Sequence, residues 1–353
     1  MLAWAAAYWQ GIAGRSDAVW FRNPTLDSIL TIGVLTLTLL LGCIGLISET
    51  CFRWVLLADI WLLAHPHLAA MYTRLVFDRQ SARQHRFLIL GLPPLVLAGT
   101  AAAAWFGGAL ALITAYYLWQ TWHYTSQSYG IARAVGGSQA RPSGKLTTAV
   151  IFAFPIWGLL HRAHQNPSVF YEWPIALPEI PEAVATAAGL GAGGLLLWWI
   201  ADRARAIHHH HTAGLLTHTL FVLSHVVVTV VSFVAVDEIT HGWLFINIWH
   251  NAQYIVFVWA YNARRFKGGV DPRAPMLSRL SQPRNALYYL GVCVGAGTLF
   301  YLGVRLITNL LAAHFVSVVL IVHLAINFHH YLVDAVIWKR KRANTGVCQY
   351  GTR

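Results

Sequence analysis

Long apolar runs separated by short charged connections make up most of this chain. Each run approaches the roughly 20 residues that a helix needs to cross about 30 Å of hydrocarbon. Ten spans are predicted, near 27–48, 52–74, 87–106, 109–133, 146–161, 182–201, 213–236, 241–263, 286–306 and 309–338. The connections are short, apart from a Pro-rich loop after the fifth span and a basic stretch at 264–285. The pattern predicts an all-α, polytopic integral membrane protein with a single membrane domain over 1–353. Its parts are an N-terminal interfacial segment at 1–25 (Trp4, Tyr8, Trp9 and Trp20 suit a membrane surface), a helical bundle at 27–338 and a basic tail at 339–353.

Composition sharpens that picture. Hydrophobic residues make up 57% of the chain and charged ones only 11%, where a soluble domain carries about a quarter charged. The net charge of +12 invites a nucleic-acid reading, but the cations are scattered between apolar spans, where the positive-inside rule accounts for them. With the N-terminus in the cytoplasm, all but three of the 25 Lys and Arg residues (Arg53, Arg162 and Arg305) fall on the cytoplasmic side. The opposite loops collect Glu49, Glu172, Glu179, Glu182, Asp237 and Glu238. Both termini are therefore expected to be cytoplasmic, in a multi-pass protein of the inner (cytoplasmic) membrane whose partner is the lipid bilayer and not nucleic acid. The four cysteines form no CxxC pair, so neither a disulfide framework nor a zinc ribbon is suggested.

Candidate chemistry sits in the spans themselves. In the last span His323, Asn327, His330 and Asp334 are spaced by four, three and four residues and share one helical face. Such groups inside hydrocarbon cost a few kcal/mol each unless paired, metal-bound or facing water. The second span places Asp59 and His67 on one face, while His65 points about 200° away in a straight helix. Pro66 between the two histidines can kink that turn and bring both inward; the alternative is a proline kink with a buried histidine bonded to a carbonyl. In the fourth span Tyr116, Gln120, His123, Gln127 and Gly130 form a polar stripe, which would also suit a hydrogen-bonded helix interface. The seventh carries His218 and His225, and the eighth carries Asn247, His250 and Asn251 with Tyr254 one turn on.

Depth links these positions. His67, His123 and His330 lie roughly 10–15 Å from the basic ends of their spans, and His250 roughly 21 Å from its own. His218 and His225 bracket the same layer from the opposite direction. One shared site in the cytoplasmic half of the bilayer is expected. Its metal ligands would come from His65, His67, His123, His218, His225, His250, His323, His329, His330 and Asp334, supported by Asp59, Gln127, Asn327 and Tyr254. His329 is rotated about 100° from His330, so an inward His329 would favour two metal ions and an outward one a single ion or a haem.

Neutral imidazoles suit iron, copper and zinc. The motifs HPH, WHYTSQSYG, WHNAQY and HHYLVDAVIWK resemble those of a set of polytopic bacterial membrane proteins. The histidine-bearing spans as a group resemble the membrane-bound non-haem iron oxygenases, namely fatty-acid desaturases, alkane hydroxylases and, more loosely, the Brp/Blh-type carotenoid-cleaving enzymes. The HxxxH and HxxHH boxes of the first two and the PHGxLD stretch of the third are absent, so no ligand set carries over. The resemblance implies a histidine-ligated metal enzyme, with one or two iron ions, acting with oxygen and an electron donor on a lipophilic substrate. Two alternatives stand beside it: a b-type haem electron-transfer protein, which would use only two to four of the histidines, and a proton- or metal-ion-coupled transporter.

Overall fold

The computed structural model describes residues 23–136, 144–209, 214–311 and 316–338. Residues 1–22 of the interfacial segment, the basic tail and half of the 208–211 histidine tract lie outside them. In chain order the helices are α1 Pro24–Gly45, α2 Glu49–Val76, the short α3 Arg79–Gln84, α4 Phe87–Gly136, α5 Gly144–Gln165, α6 Glu182–His209, α7 Leu215–Ala235, α8 Ile239–Arg265, the short α9 Pro275–Leu280, α10 Ala286–Leu311 and α11 Val316–Ile337. A two-residue hairpin, β1 Val169–Phe170 with β2 Trp173–Pro174, is the strand structure among the described residues. The protein is all-α.

Eight of these helices are long and apolar enough to cross a membrane. They present large hydrophobic side chains outward, such as Leu40, Leu90, Trp105 and Leu190, each at least 60% exposed. An apolar surface that extensive fits a lipid environment and not water. The apolar run of α4 is interrupted at Gly108, where φ is 64° and ψ is −168°. That conformation is nearly closed to residues with a Cβ, so the chain breaks at the Gly107–Gly108 pair, between the third and fourth predicted spans.

Helix α8 is the exception to the apolar rule, and the reason is its position. Twenty of its 27 residues are buried, and it packs against α1, α2 and α7. A helix enclosed by other helices need not be compatible with lipid, so α8 can carry Asn247, His250, Asn251 and Gln253. The remaining close pairs are α5 with α6, α4 with α11 and α2 with α10. Helices α2, α4, α8 and α11 therefore enclose one space.

Both ends of this core are tied by charge. At the end where α8 finishes, Arg265 donates to Asp78 at 2.7 Å. Burial pushes the Asp78 carboxyl up, but the bonds from Arg265 and from the backbone N–H groups of Ser81 and Gln80 outweigh it and hold the group below its ordinary value. At the opposite end the buried Arg162 reaches from α5 to the carbonyls that finish α7.

Candidate metal centre

Helix α2 reaches the centre through an irregular stretch. A π-helical turn, Ile60–Ala64, precedes Pro66, which has no N–H to give. The backbone stays helical at Ala64 and His65 (φ/ψ −67°/−47° and −64°/−45°). Adjacent imidazoles at 65 and 67 therefore diverge. His67 turns into the bundle, whereas His65 stacks on Tyr301 of α10 at 3.6 Å and meets Trp61 edge-on at 4.9 Å. The kink does not bring both histidines to one place.

Three other helices supply one histidine each: α4 gives His123, α8 gives His250 and α11 gives His330. One ring nitrogen from each of these and from His67 lies within 4.8 Å of all the others. The rings form a closed circuit, His67–His250–His123–His330, with neighbouring centroids 4.8, 5.0, 4.9 and 4.7 Å apart. None of the four is more than 6% exposed. The Nε2 atoms of His67 and His330 approach to 2.7 Å, and His123 Nε2 is buried with no hydrogen-bond partner.

Two of the four rings are held at their outer edge, while His67 Nδ1 is buried without a partner. His330 Nδ1 lies 3.1 Å from Met71 Sδ, and the Gln127 amide meets His250 Nδ1 at 3.2 Å. Tyr331 stacks on His123, and Tyr124 and Tyr254 pack tilted against His250 and His67, with centroids 4.0–4.3 Å apart. Tyr254 donates its hydroxyl to Asp334 Oδ1 at 2.7 Å, while Asp334 Oδ2 stands 3.9 Å from His330 Nε2, beyond hydrogen-bond reach.

Above this layer runs a polar chain that spans three helices. Trp243 donates to Gln120, Gln120 to Tyr124, Tyr124 to Asn247, and Asn247 to Asp59, which also accepts from Asn251 at 3.3 Å. Asp59, expected beside His67 as an orienting group, is thus bonded to two amides of α8. Of the α4 stripe, Gln120 serves this interface, and His123 and Gln127 serve the histidine circuit.

The other expected ligands lie elsewhere. His225 Nε2 donates to the Ile151 carbonyl at 3.0 Å, and His218 is buried on the same helix away from the circuit. His329 faces the neighbouring helices, bonded to Leu88 O at 2.8 Å and to the Tyr72 hydroxyl at 2.9 Å, with both nitrogens occupied. His323 contacts Asn327 one turn on. Met71, Tyr124 and Tyr331 are the contacts that sequence reasoning passed over. Met71 stands four residues after His67, on the same face, which is the one signal that could have flagged it.

A buried four-histidine group of this kind can hold a metal ion. Ligand nitrogens about 2.0–2.1 Å from a tetrahedral ion are about 3.4 Å apart. Small ring rotations would bring the observed spacings to that value. Comparison with protein-family models, curated proteins and solved structures finds no match for this chain.

Proposed function

We propose that the protein is a membrane-embedded, histidine-ligated metal enzyme, an oxygen-dependent oxidoreductase acting on a lipophilic substrate. The observation that carries the reading is the convergence of four imidazoles from four helices, with His123 Nε2 and His67 Nδ1 buried and unpartnered. Orphaned buried nitrogens are costly, and a cation is the partner that would satisfy all four rings at once. The ligand set is His67, His123, His250 and His330, and the outward-facing His329 favours one ion over two. Four neutral nitrogen donors suit iron. When bound, iron would supply the one-electron chemistry that activates oxygen. The chain's own residues set the tautomers: Met71 and Gln127 engage Nδ1 of His330 and His250, leaving Nε2 to point inward. Gln127 Oε1 is buried without a partner; turning the amide over lets it accept the His250 Nδ1 proton. Asp334, held by Tyr254, places a carboxylate oxygen beside the ligand set.

The circuit weighs against haem. Rings less than about 5 Å from two neighbours each leave no slot for a flat macrocycle between them. Metal analysis of purified protein with an optical spectrum tests the reading. About one iron per chain and no Soret band is the expected result; a Soret band, or no transition metal, overturns it.

The same proposal counts ten membrane crossings. The Gly108 break divides α4 into two, and α8, at about 1.5 Å per residue, is roughly 40 Å long. With both termini cytoplasmic, cysteines introduced at Val270 and Pro178 in a cysteine-free background should be labelled from opposite sides. Labelling from one side would end the ten-span arrangement.

Gln127→Leu keeps the side-chain volume but removes the polar contact to His250. Metal affinity should fall about 10–100-fold with the fold intact. Unchanged affinity in a chelator competition would take Gln127 out of the site.

A further inference from the structure

Three tyrosines pack on the histidine circuit, and they lead to different places. The Tyr124 hydroxyl belongs to the polar chain that ends on Asp59. Tyr331 leads to Trp119 at 6.0 Å, and Trp119 stacks on Phe328, whose ring is too hard to oxidise to carry charge onward. Tyr254 leads out of the bundle. Its hydroxyl accepts from Trp338 Nε1 at 3.2 Å, just past the end of α11, and the Trp338 ring lies 5.3 Å from Tyr261. Tyr254 is 1% exposed, whereas Trp338 and Tyr261 are both half-buried. Tyr261 stands seven residues after Tyr254, about 10 Å further along α8. It lies at the end that carries Arg264 and Arg265 and is expected to face the cytoplasm. His67, Tyr254, Trp338 and Tyr261 thus run from the centre to that surface in steps of 4.3, 6.2 and 5.3 Å between ring centroids.

Tyrosine and tryptophan are the aromatic side chains that give up an electron most readily, and tyrosine does so reversibly only where its proton has somewhere to go. Tyr254 has such a place in Asp334 Oδ1, 2.7 Å away. The centre also has a use for the path. Met71 is fully buried, with Sδ 3.1 Å from His330 Nδ1, and oxidants convert a thioether to its sulfoxide. An oxygen-activating centre that acts without substrate would spend its oxidising power on that sulfur.

We infer that Tyr254, Trp338 and Tyr261 form a one-electron relay through which a soluble reductant on the cytoplasmic side refills the centre when it is left oxidised, sparing Met71. The use of the relay rests on the function proposed above; conduction between the rings does not.

One electron moves inward in each passage. Tyr254 gives an electron to the centre and its hydroxyl proton to Asp334 Oδ1. Trp338 then gives Tyr254 an electron together with its Nε1 proton, along the existing bond. The Arg74 guanidinium lies 3.8 Å over Trp338 and 4.8 Å over Tyr261. It disfavours a positively charged ring, so electron and proton leave together. Tyr261 returns an electron to Trp338 and releases its own hydroxyl proton to water, while the first proton passes back from Asp334 through Tyr254 to Nε1. The reductant restores Tyr261, which takes its proton back from water.

The test separates the route from the centre. A ruthenium polypyridyl label is placed on Lys267→Cys, an exposed position, in an otherwise cysteine-free chain. A flash, with ruthenium hexaammine(III) as acceptor, removes one electron from the label, which then takes one from the protein. Electron paramagnetic resonance of metal-depleted protein should show a tyrosyl radical that Tyr254→Phe removes. Trp338→Phe should lose that signal and Trp119→Phe should keep it; if Trp338→Phe does not fold, Tyr261→Phe breaks the path one ring earlier. No Tyr254 radical in the otherwise unaltered chain, or an equal one in Trp338→Phe, overturns the relay.

The second readout is mass spectrometry of Met71 in iron-loaded protein kept in detergent, in air, with ascorbate. The sulfur takes one oxygen atom from O2, and ascorbate supplies two electrons and two protons for the water formed. Trp338→Phe should accumulate the sulfoxide faster than the wild type, and equal accumulation removes the protective role. Full iron content without a Tyr254 radical leaves the centre standing and removes the relay. A Tyr254 radical in a chain that binds no iron leaves the conduction standing and removes the function proposed above.

Discussion

His123→Ala should strip the protein of its metal. His123 contributes the one Nε2 that is buried with no partner in the circuit, so it has no other bond to retain. Removing a residue that merely supports a ligand costs about 10–100-fold in affinity; removing a ligand should cost more. Metal content should drop from about one ion per chain to a small fraction of that. Metal that binds the folded state alone also stabilises it. A chelator should therefore lower the melting temperature of the wild type and leave that of His123→Ala unmoved. This second readout separates loss of a ligand from simple loss of packing against Tyr331, on which the His123 ring stacks. His225→Gln is the control: His225 is a buried histidine of similar depth whose Nε2 is bonded to Ile151 O, and its replacement should keep the metal. Full metal content in His123→Ala, or equal loss in both variants, would remove the four-histidine site.

What could be read from the sequence divides along a physical line. Spacing within one helix is fixed by 3.6 residues per turn, so the shared face of His330 and Asp334 and the divergence of His65 from His67 were both legible. The Gly107–Gly108 break fell at the boundary between two predicted spans, because paired glycines in an apolar run mark a place where the helix can end. Depth below the basic ends grouped His67, His123, His250 and His330, but depth alone carries no information on azimuth. His218 and His225 share the layer and face α5 or other neighbours instead. Facing across helices is set by contacts between segments far apart in sequence, such as α8 against α1 and α4 against α11. The same holds for Asp59: its place on the His67 face was legible, whereas its bonding to Asn247 and Asn251 depends on the rotation of α8. Charge counting likewise placed Arg162 on the outer side without showing that it is buried.

Arg162→Leu should be among the most destabilising single changes in the chain. Arg162 is 1% exposed, and its guanidinium serves four acceptors. Nη1 donates to Gln165 Oε1 at 2.6 Å and to the Asp237 carbonyl, and Nη2 donates to the Ser232 carbonyl at 2.8 Å and to the Val236 carbonyl. Three of these are backbone oxygens where α7 ends: Ser232, in its π-helical turn Val231–Ala235 and among the carbonyls a helix cannot satisfy internally, and Val236 and Asp237 just beyond it. A cation there also meets the negative end of the helix dipole. Helix α8 closes over the clamp at Gly242, where a Cβ would lie 2.2 Å from Ser232 O and 2.6 Å from Arg162 Nη2. One side chain therefore fixes α5, α7 and the start of α8, two turns before His250. Leaving the buried Ser232 carbonyl without its donor should cost about 1–3 kcal/mol, and the part-buried carbonyls of Val236 and Asp237 should add less. The loss should appear as a large fall in melting temperature in detergent or nanodiscs. Arg162→Lys should recover only part of the loss, because an ammonium cannot reproduce the forked geometry that reaches both sides of the turn. Gly242→Ala should destabilise independently by forcing α8 away. Wild-type stability in Arg162→Leu would show that water satisfies these carbonyls, and that the arrangement of α8 over the metal centre is set elsewhere.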